Sequence, residues 1–270
     1  MKAIDVHVHP GTAEDAAGHA MGDARRAFRL PDPPQTVADL AEEYRALDVM
    51  GVLLAWAGRV SNERVAEIVR EFPSQFVGFA SVDPSRGAEA VREVERAVRG
   101  LGLKGLKLHP IAQSFYPDDP QHFPLWEKCA ELGVPVMFHT GHTAYGAGAP
   151  GGRGLRLKYA RPILLDDVAA EFPSLTIIAA HPGWPWSDEL VSVALHKGNV
   201  WIDLSGWSPK HLPEALLRHA NGALQDRVLF GSDHPFIGPA RWMSDFEAAP
   251  FTPGARPKIL LENARRLLRL

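Results

Sequence analysis

With 270 residues, 46% of them hydrophobic, the chain is long enough to bury a large core in one domain. Its 29 basic and 32 acidic residues leave a net charge of −3, and no basic stripe points to nucleic acid. A single cysteine, Cys129, excludes an intramolecular disulfide, and no apolar run approaches the roughly 18 residues of a membrane span.

The first segment, Ala3-Ile4-Asp5-Val6-His7-Val8-His9, alternates apolar and polar residues and reads as a strand. That period places Asp5, His7 and His9 on one face and Ile4, Val6 and Val8 on the other. Two imidazoles two residues apart on one face can reach a single cation. No charged-then-apolar leader precedes this strand, so a cytoplasmic location is expected. A long connection, residues 10–35, follows and carries Arg25, Arg26 and Arg29. Val37, Leu40, Tyr44 and Leu47 then recur at helical spacing, with Thr36 as the expected N-cap.

Continuous apolar runs at 49–55, 76–82, 106–109, 134–139, 175–181, 200–204 and 228–233 read as buried parallel strands. Between them, Val91, Val94 and Val98 predict a helix ending at Gly100, and Cys129 falls in a helical stretch as a structural thiol. A second long connection, residues 140–161, is rich in glycine and then basic, with Arg153, Arg156 and Lys158. Eight strand-then-helix units in one chain predict a single-domain α/β fold, a (β/α)8 TIM barrel. A doubly wound open sheet is the alternative, and it lacks the glycine-rich phosphate turn that would support it.

Polar residues gather at the carboxyl ends of these strands. His7 and His9 close the first, His109 the fourth, His139 the fifth, His181 the sixth and Asp233 the eighth. Barrel active sites are built at that pole.

The motifs Asp5-Val6-His7-Val8-His9-Pro10, Gly105-Leu106-Lys107-Leu108-His109-Pro110, His139-Thr140-Gly141, Ala180-His181-Pro182-Gly183 and Gly231-Ser232-Asp233-His234-Pro235 resemble the amidohydrolase superfamily. The similarity spans essentially the whole chain and is strongest to the branch that includes aminocarboxymuconate semialdehyde decarboxylase. It implies a distorted barrel with one divalent metal ion held by His7, His9, His139 and Asp233. Such a mixed nitrogen and oxygen set suits zinc first, with manganese or iron as alternatives. The resemblance further implies catalytic roles for His181, beside the attacking water, and for Asp233 as a proton acceptor. Asp203, ending the seventh strand, is a candidate to orient a ligand imidazole.

Lys107 shares strand parity with His109, and both are expected to meet substrate. Binuclear members of the superfamily suggest the alternative of a carboxylated Lys107 bridging a second metal. Arg153 and Arg156 are candidates for binding a carboxylate or phosphate, and Trp184 for covering a flat acyl group.

A narrower similarity, carried by His181-Pro182-Gly183-Trp184-Pro185-Trp186 and Asp203-Leu204-Ser205-Gly206-Trp207, is to 4-hydroxyphenyl-β-ketoacyl-CoA hydrolases. It implies hydrolysis at a carbonyl of a small organic substrate, such as an aryl β-ketoacyl-CoA. The alternative on the same metal centre is non-oxidative decarboxylation of an aromatic or enoic acid. It is placed second because decarboxylases of this branch tend to be longer, with a larger first insertion. A metal-independent lactonase is the third reading. The expected partner is a small molecule, and the apolar pairs Leu260-Leu261 and Leu267-Leu268 are compatible with a homodimer.

Overall fold

Eight parallel strands, each followed by a helix, close into a barrel in a computed structural model that describes residues 1–10, 27 and 36–270. The strands are β1 (Ala3–Val8), β2 (Val49–Leu54), β3 (Phe76–Phe79) and β4 (Leu106–Leu108), then β5 (Val136–His139), β6 (Ile177–Ala180), β7 (Val200–Asp203) and β8 (Val228–Leu229). The outer helices are α1 (Val37–Leu47), α2 (Asn62–Glu71), α3 (Ala88–Arg99) and α4 (Phe123–Leu132), then α5 (Leu164–Glu171), α6 (Ser187–His196), α7 (Glu214–Ala220) and α8 (Pro239–Ala248). Most of the first long connection, including Arg25, Arg26 and Arg29, lies outside the described residues.

β1–β3 and β4–β8 form two ribbons in chain order, and both seams between them are sealed. At one, Ala80 bridges Leu106 and the Lys107 N–H donates to the Ala80 carbonyl at 2.7 Å. At the other, Val8 bridges His234 and the Val6 N–H donates to the Phe230 carbonyl at 2.9 Å. A sheet joined at both seams is a barrel, which rules out the doubly wound alternative. Local signals agree with the larger plan. Thr36 and Asp39 form a reciprocal capping box at the start of α1, and α3 stops at Gly100.

Alternating strand residues feed two cores. Leu53, Leu106, Leu108, Val136, Phe138, Ile177 and Val200 pack outward against the helices, while Ile4, Val52, Leu54, Phe79, Met137, Ile178 and Leu229 fill the barrel. Each such side chain contributes about 1.5–3 kcal/mol when withdrawn from water. The C-terminal helix, Asn263–Leu268, presents Ala264 and Leu268 to the inner cluster, with Leu261 and Leu267 packed beside them. Of the leucines expected to be compatible with a homodimer, Leu268 is buried in the chain's own barrel and Leu260, Leu261 and Leu267 are partly buried.

The first strand departs from strict alternation. Ile4 and Val6 belong to the inner core but Val8 to the outer one, because the pairing of β1 with β2 slips between Asp5 and Val8. Asp5 therefore does not share the face of His7 and His9. Its buried carboxylate accepts hydrogen bonds from the Tyr44 hydroxyl (2.8 Å), the Ser232 N–H (2.8 Å), the Ser232 hydroxyl (2.5 Å) and the His7 N–H (3.1 Å). Burial pushes this carboxyl up to about 6 in spite of the four donors. Asp5 is a clasp between β1, β8 and α1 that sets where the histidines begin.

Candidate metal centre and active site

The slip in β1 turns His7 inward beside His9, and both reach Asp233 at the end of β8. His7 Nε2 lies 3.4 Å and His9 Nε2 3.3 Å from the same oxygen, Asp233 Oδ1. One donor atom from each of the three residues falls within 4.8 Å of the others. Asp233 adopts φ +67° and His181, at the mouth of β6, φ +75°. A left-handed histidine costs energy, and such conformations cluster where a side chain must be aimed.

Hydrogen bonds fix which nitrogen each imidazole offers. His7 Nδ1 sits 2.7 Å from Asp203 Oδ2, so Nδ1–H donates to that carboxylate and Nε2 keeps its lone pair. Ser205 locks Asp203 in turn, its N–H donating to Oδ1 at 2.9 Å and its hydroxyl to Oδ2 at 2.7 Å. His181 Nδ1–H donates to the Ser205 carbonyl at 3.1 Å, which leaves the His181 Nε2 lone pair for the cavity. His109 is held in the other tautomer. Its Nδ1 accepts the Ala112 N–H at 3.3 Å, so Nε2–H points toward Thr143 Oγ1, also at 3.3 Å. Two glycines permit this crowding. A Cβ on Gly231 would stand 2.1 Å from Asp203 Oδ1, and Gly206, at φ +74°, passes beside His181 and Asp233.

Burial depresses the pKa of His7, His109, His139 and His181, with Lys107 nearby adding to the effect, and brings His181 to about 4. Neutral imidazole is the form that ligates metal. Burial also raises the Asp203 carboxyl and lowers the Lys107 ammonium, each partly offset by the other's charge.

The donor set fits a divalent cation on the chain's own geometry. His7 Nε2 is buried without a hydrogen-bond partner although Nδ1 is fully engaged, and His139 Nε2 is likewise buried and unpartnered. Replacing Asp203 with asparagine removes the charge that holds His7 in its tautomer. Metal affinity, measured by competition with a chromogenic chelator, is expected to fall about 10- to 100-fold. An unchanged affinity would mean that Asp203 does not orient this ligand.

The remaining expected site residues divide. His7, His9, Lys107, His109, His139, His181 and Asp233 all line one cavity, together with Trp56, Tyr145 and Phe236. His139 stands outside the three-residue cluster. It stacks on His109 with ring centroids 3.9 Å apart and meets His181 edge-on at 4.6 Å. Lys107 Nζ is buried without a hydrogen-bond partner. Arg153, Arg156 and Trp184 do not line the cavity. Both arginines are exposed, the former in a glycine turn whose three successive residues from Gly151 take positive φ. Trp184 is 47% exposed and rests against His142 and Trp207 instead. Ser205 and Thr143 were missed. Ser205 continues the parity of Asp203 past the end of β7, which is a usable signal, whereas Thr143 carries none.

The fold and site together define a metal-dependent barrel enzyme. Comparison with known proteins agrees, since the family model described as Amidohydrolase matches residues 4–270. The chain belongs to the amidohydrolase family, in the branch that includes aminocarboxymuconate semialdehyde decarboxylase. It is 25% identical to 2-amino-3-carboxymuconate-6-semialdehyde decarboxylase of Dictyostelium discoideum, over 65% of this chain and 55% of that one. It is 26% identical to γ-resorcylate decarboxylase of Rhizobium sp. (strain MTP-10005), over 97% of this chain and 95% of that one. Among solved structures, an uncharacterized TIM-barrel protein from Bordetella bronchiseptica superposes with a TM-score of 0.83 at 27% identity, covering 100% and 99% of the two chains. A dihydroxybenzoic acid decarboxylase from Polaromonas sp. JS666 with bound manganese superposes with a TM-score of 0.67 at 23% identity, covering 99% and 97%. Among the described residues no helix is long and apolar enough to cross a membrane.

Proposed function

We propose that this chain is a non-oxidative decarboxylase of a small aromatic carboxylic acid. The observation that carries the reading is Lys107. It is a buried ammonium with no hydrogen-bond partner, in an aromatic-walled cavity that also holds the His7–His9–Asp233 cluster. A buried ammonium without a hydrogen-bond partner favours a substrate whose anionic oxygens would accept its N–H groups. The expectation of CoA-thioester hydrolysis loses support on two counts. Arg153, Arg156 and Lys158 do not line the cavity, and a γ-resorcylate decarboxylase, although longer, aligns with 97% of this chain.

His7, His9 and Asp233 would hold the metal, with His139 Nε2 free to complete the set. The donors suit zinc or manganese. When bound, the metal supplies a Lewis acid that anchors oxygen atoms of the substrate. Lys107 Nζ binds the carboxylate or an adjacent phenolate, and His109 Nε2–H donates to a second oxygen. Trp56 and Phe236 wall the ring and exclude water. The bond between ring carbon and carboxyl carbon breaks, its electron pair stays on the ring, and CO2 departs. The ring carbon takes up a proton that comes from solvent, and His181, aimed by the Ser205 carbonyl, relays it by accepting it on its Nε2 lone pair and passing it on. Water is not consumed.

The test is a panel of hydroxybenzoates labelled with carbon-13 in the carboxyl group, incubated with parent protein before and after chelation. Labelled CO2 that disappears on chelation and returns with zinc or manganese supports the reading. Hydrolysis of β-ketoacyl thioesters without CO2 release would refute it.

A further inference from the structure

Two aromatic residues that line the cavity hold a guanidinium that the reaction above does not use. Trp56 and Val60 exchange two N–H···O bonds of 2.9 Å, closing a tight turn in which Gly58 takes φ +79°. The turn folds Arg59 back over its own Trp56. Arg59 Cζ lies 5.0 Å from the centroid of the Trp56 ring and 5.0 Å from that of Tyr145. Its Nη2 also donates to the Tyr145 hydroxyl at 2.9 Å. Both rings line the cavity. Trp56 in turn stacks on His109 at 5.5 Å, and His109 stacks on His139. Arg59 therefore ends a column of flat groups that runs from solvent through Trp56 and His109 to His139.

Among the described residues no carboxylate pairs with Arg59. Arg64, Arg86, Arg96 and Arg161 differ, each lying within ion-pair distance of a glutamate. Clamping a long side chain against two rings costs rotamer entropy, offset in part by cation–π attraction. What the clamp gains is a pre-aimed planar fork, the geometry that matches a carboxylate.

We propose that Arg59 binds a second anionic substituent of the substrate, making it the residue that selects aromatic dicarboxylates over monocarboxylates. The leaving carboxylate lies with Lys107, and the second one projects toward Arg59. This inference rests on the aromatic-acid reading, and its test uses binding so that the two can fail separately.

Calorimetric titration of the metal-loaded full chain with isophthalate, terephthalate and benzoate reads affinity without turnover. The parent is expected to bind the better dicarboxylate at least about tenfold more tightly than benzoate, and Arg59→Gln to lose about tenfold of that ratio. Arg59→Lys, which keeps the charge but not the fork, recovers part of it. Tyr145→Phe loses a smaller part in the same direction. A parent with no preference for either dicarboxylate overturns the proposal, as does an Arg59→Gln variant that retains the preference. If the preference follows Arg59 while no aromatic acid releases CO2, the subsite stands and the reaction assigned above falls.

Discussion

Replacing His9 with alanine is expected to leave a folded barrel that holds less than about a tenth of the parent's metal, since even outer partners of ligands are worth 10- to 100-fold in affinity. His9 is the cleaner choice over His7. The His7 side chain is fully buried and bound to Asp203, so its loss would also orphan a buried carboxylate, whereas the His9 side chain is 18% exposed. With the metal gone, its stabilisation of developing charge goes too. That amounts to several kcal/mol, so kcat/KM is expected to drop about a thousandfold or more. Elemental analysis beside steady-state kinetics checks both quantities. Full metal content in the variant would exclude His9 as a ligand.

The second large effect is expected at His181. Asparagine tolerates the left-handed backbone this position requires (φ +75°) but supplies no titratable nitrogen. His181→Asn is therefore expected to retain metal while kcat falls about 10²- to 10⁴-fold. The split is diagnostic, because a residue that only supported the ligands would lower metal content and kcat together. Unchanged kcat would remove His181 from proton transfer.

Much of this arrangement was legible in the chain itself. Seven of the strands announce themselves as short apolar runs because both faces of a barrel strand are buried. The chemistry stood out because histidine and aspartate sit at one pole of those runs, as His139, His181 and Asp233 do. What could not be read depends on partners distant in sequence. The slip in β1 exists because Asp5 is claimed by Ser232 and Tyr44, 227 and 39 residues away. The leucines of the C-terminal helix look free until the barrel floor is seen to need a cover. Arg153 and Arg156 read as substrate ligands by composition, yet a glycine-rich turn holds them away from the cavity. Arg59 stands in an unremarkable turn, and only folding brings Tyr145 across to it from 86 residues on.

The most direct test of the central claim follows atoms through turnover in a mixture of D2O and oxygen-18 water, read by NMR and mass spectrometry. Decarboxylation places one deuterium on the ring carbon that held the carboxylate and adds no heavy oxygen to the arene. Hydrolysis would instead place oxygen-18 in a product acid and leave the ring carbon unlabelled, and that result would contradict the function proposed for this site.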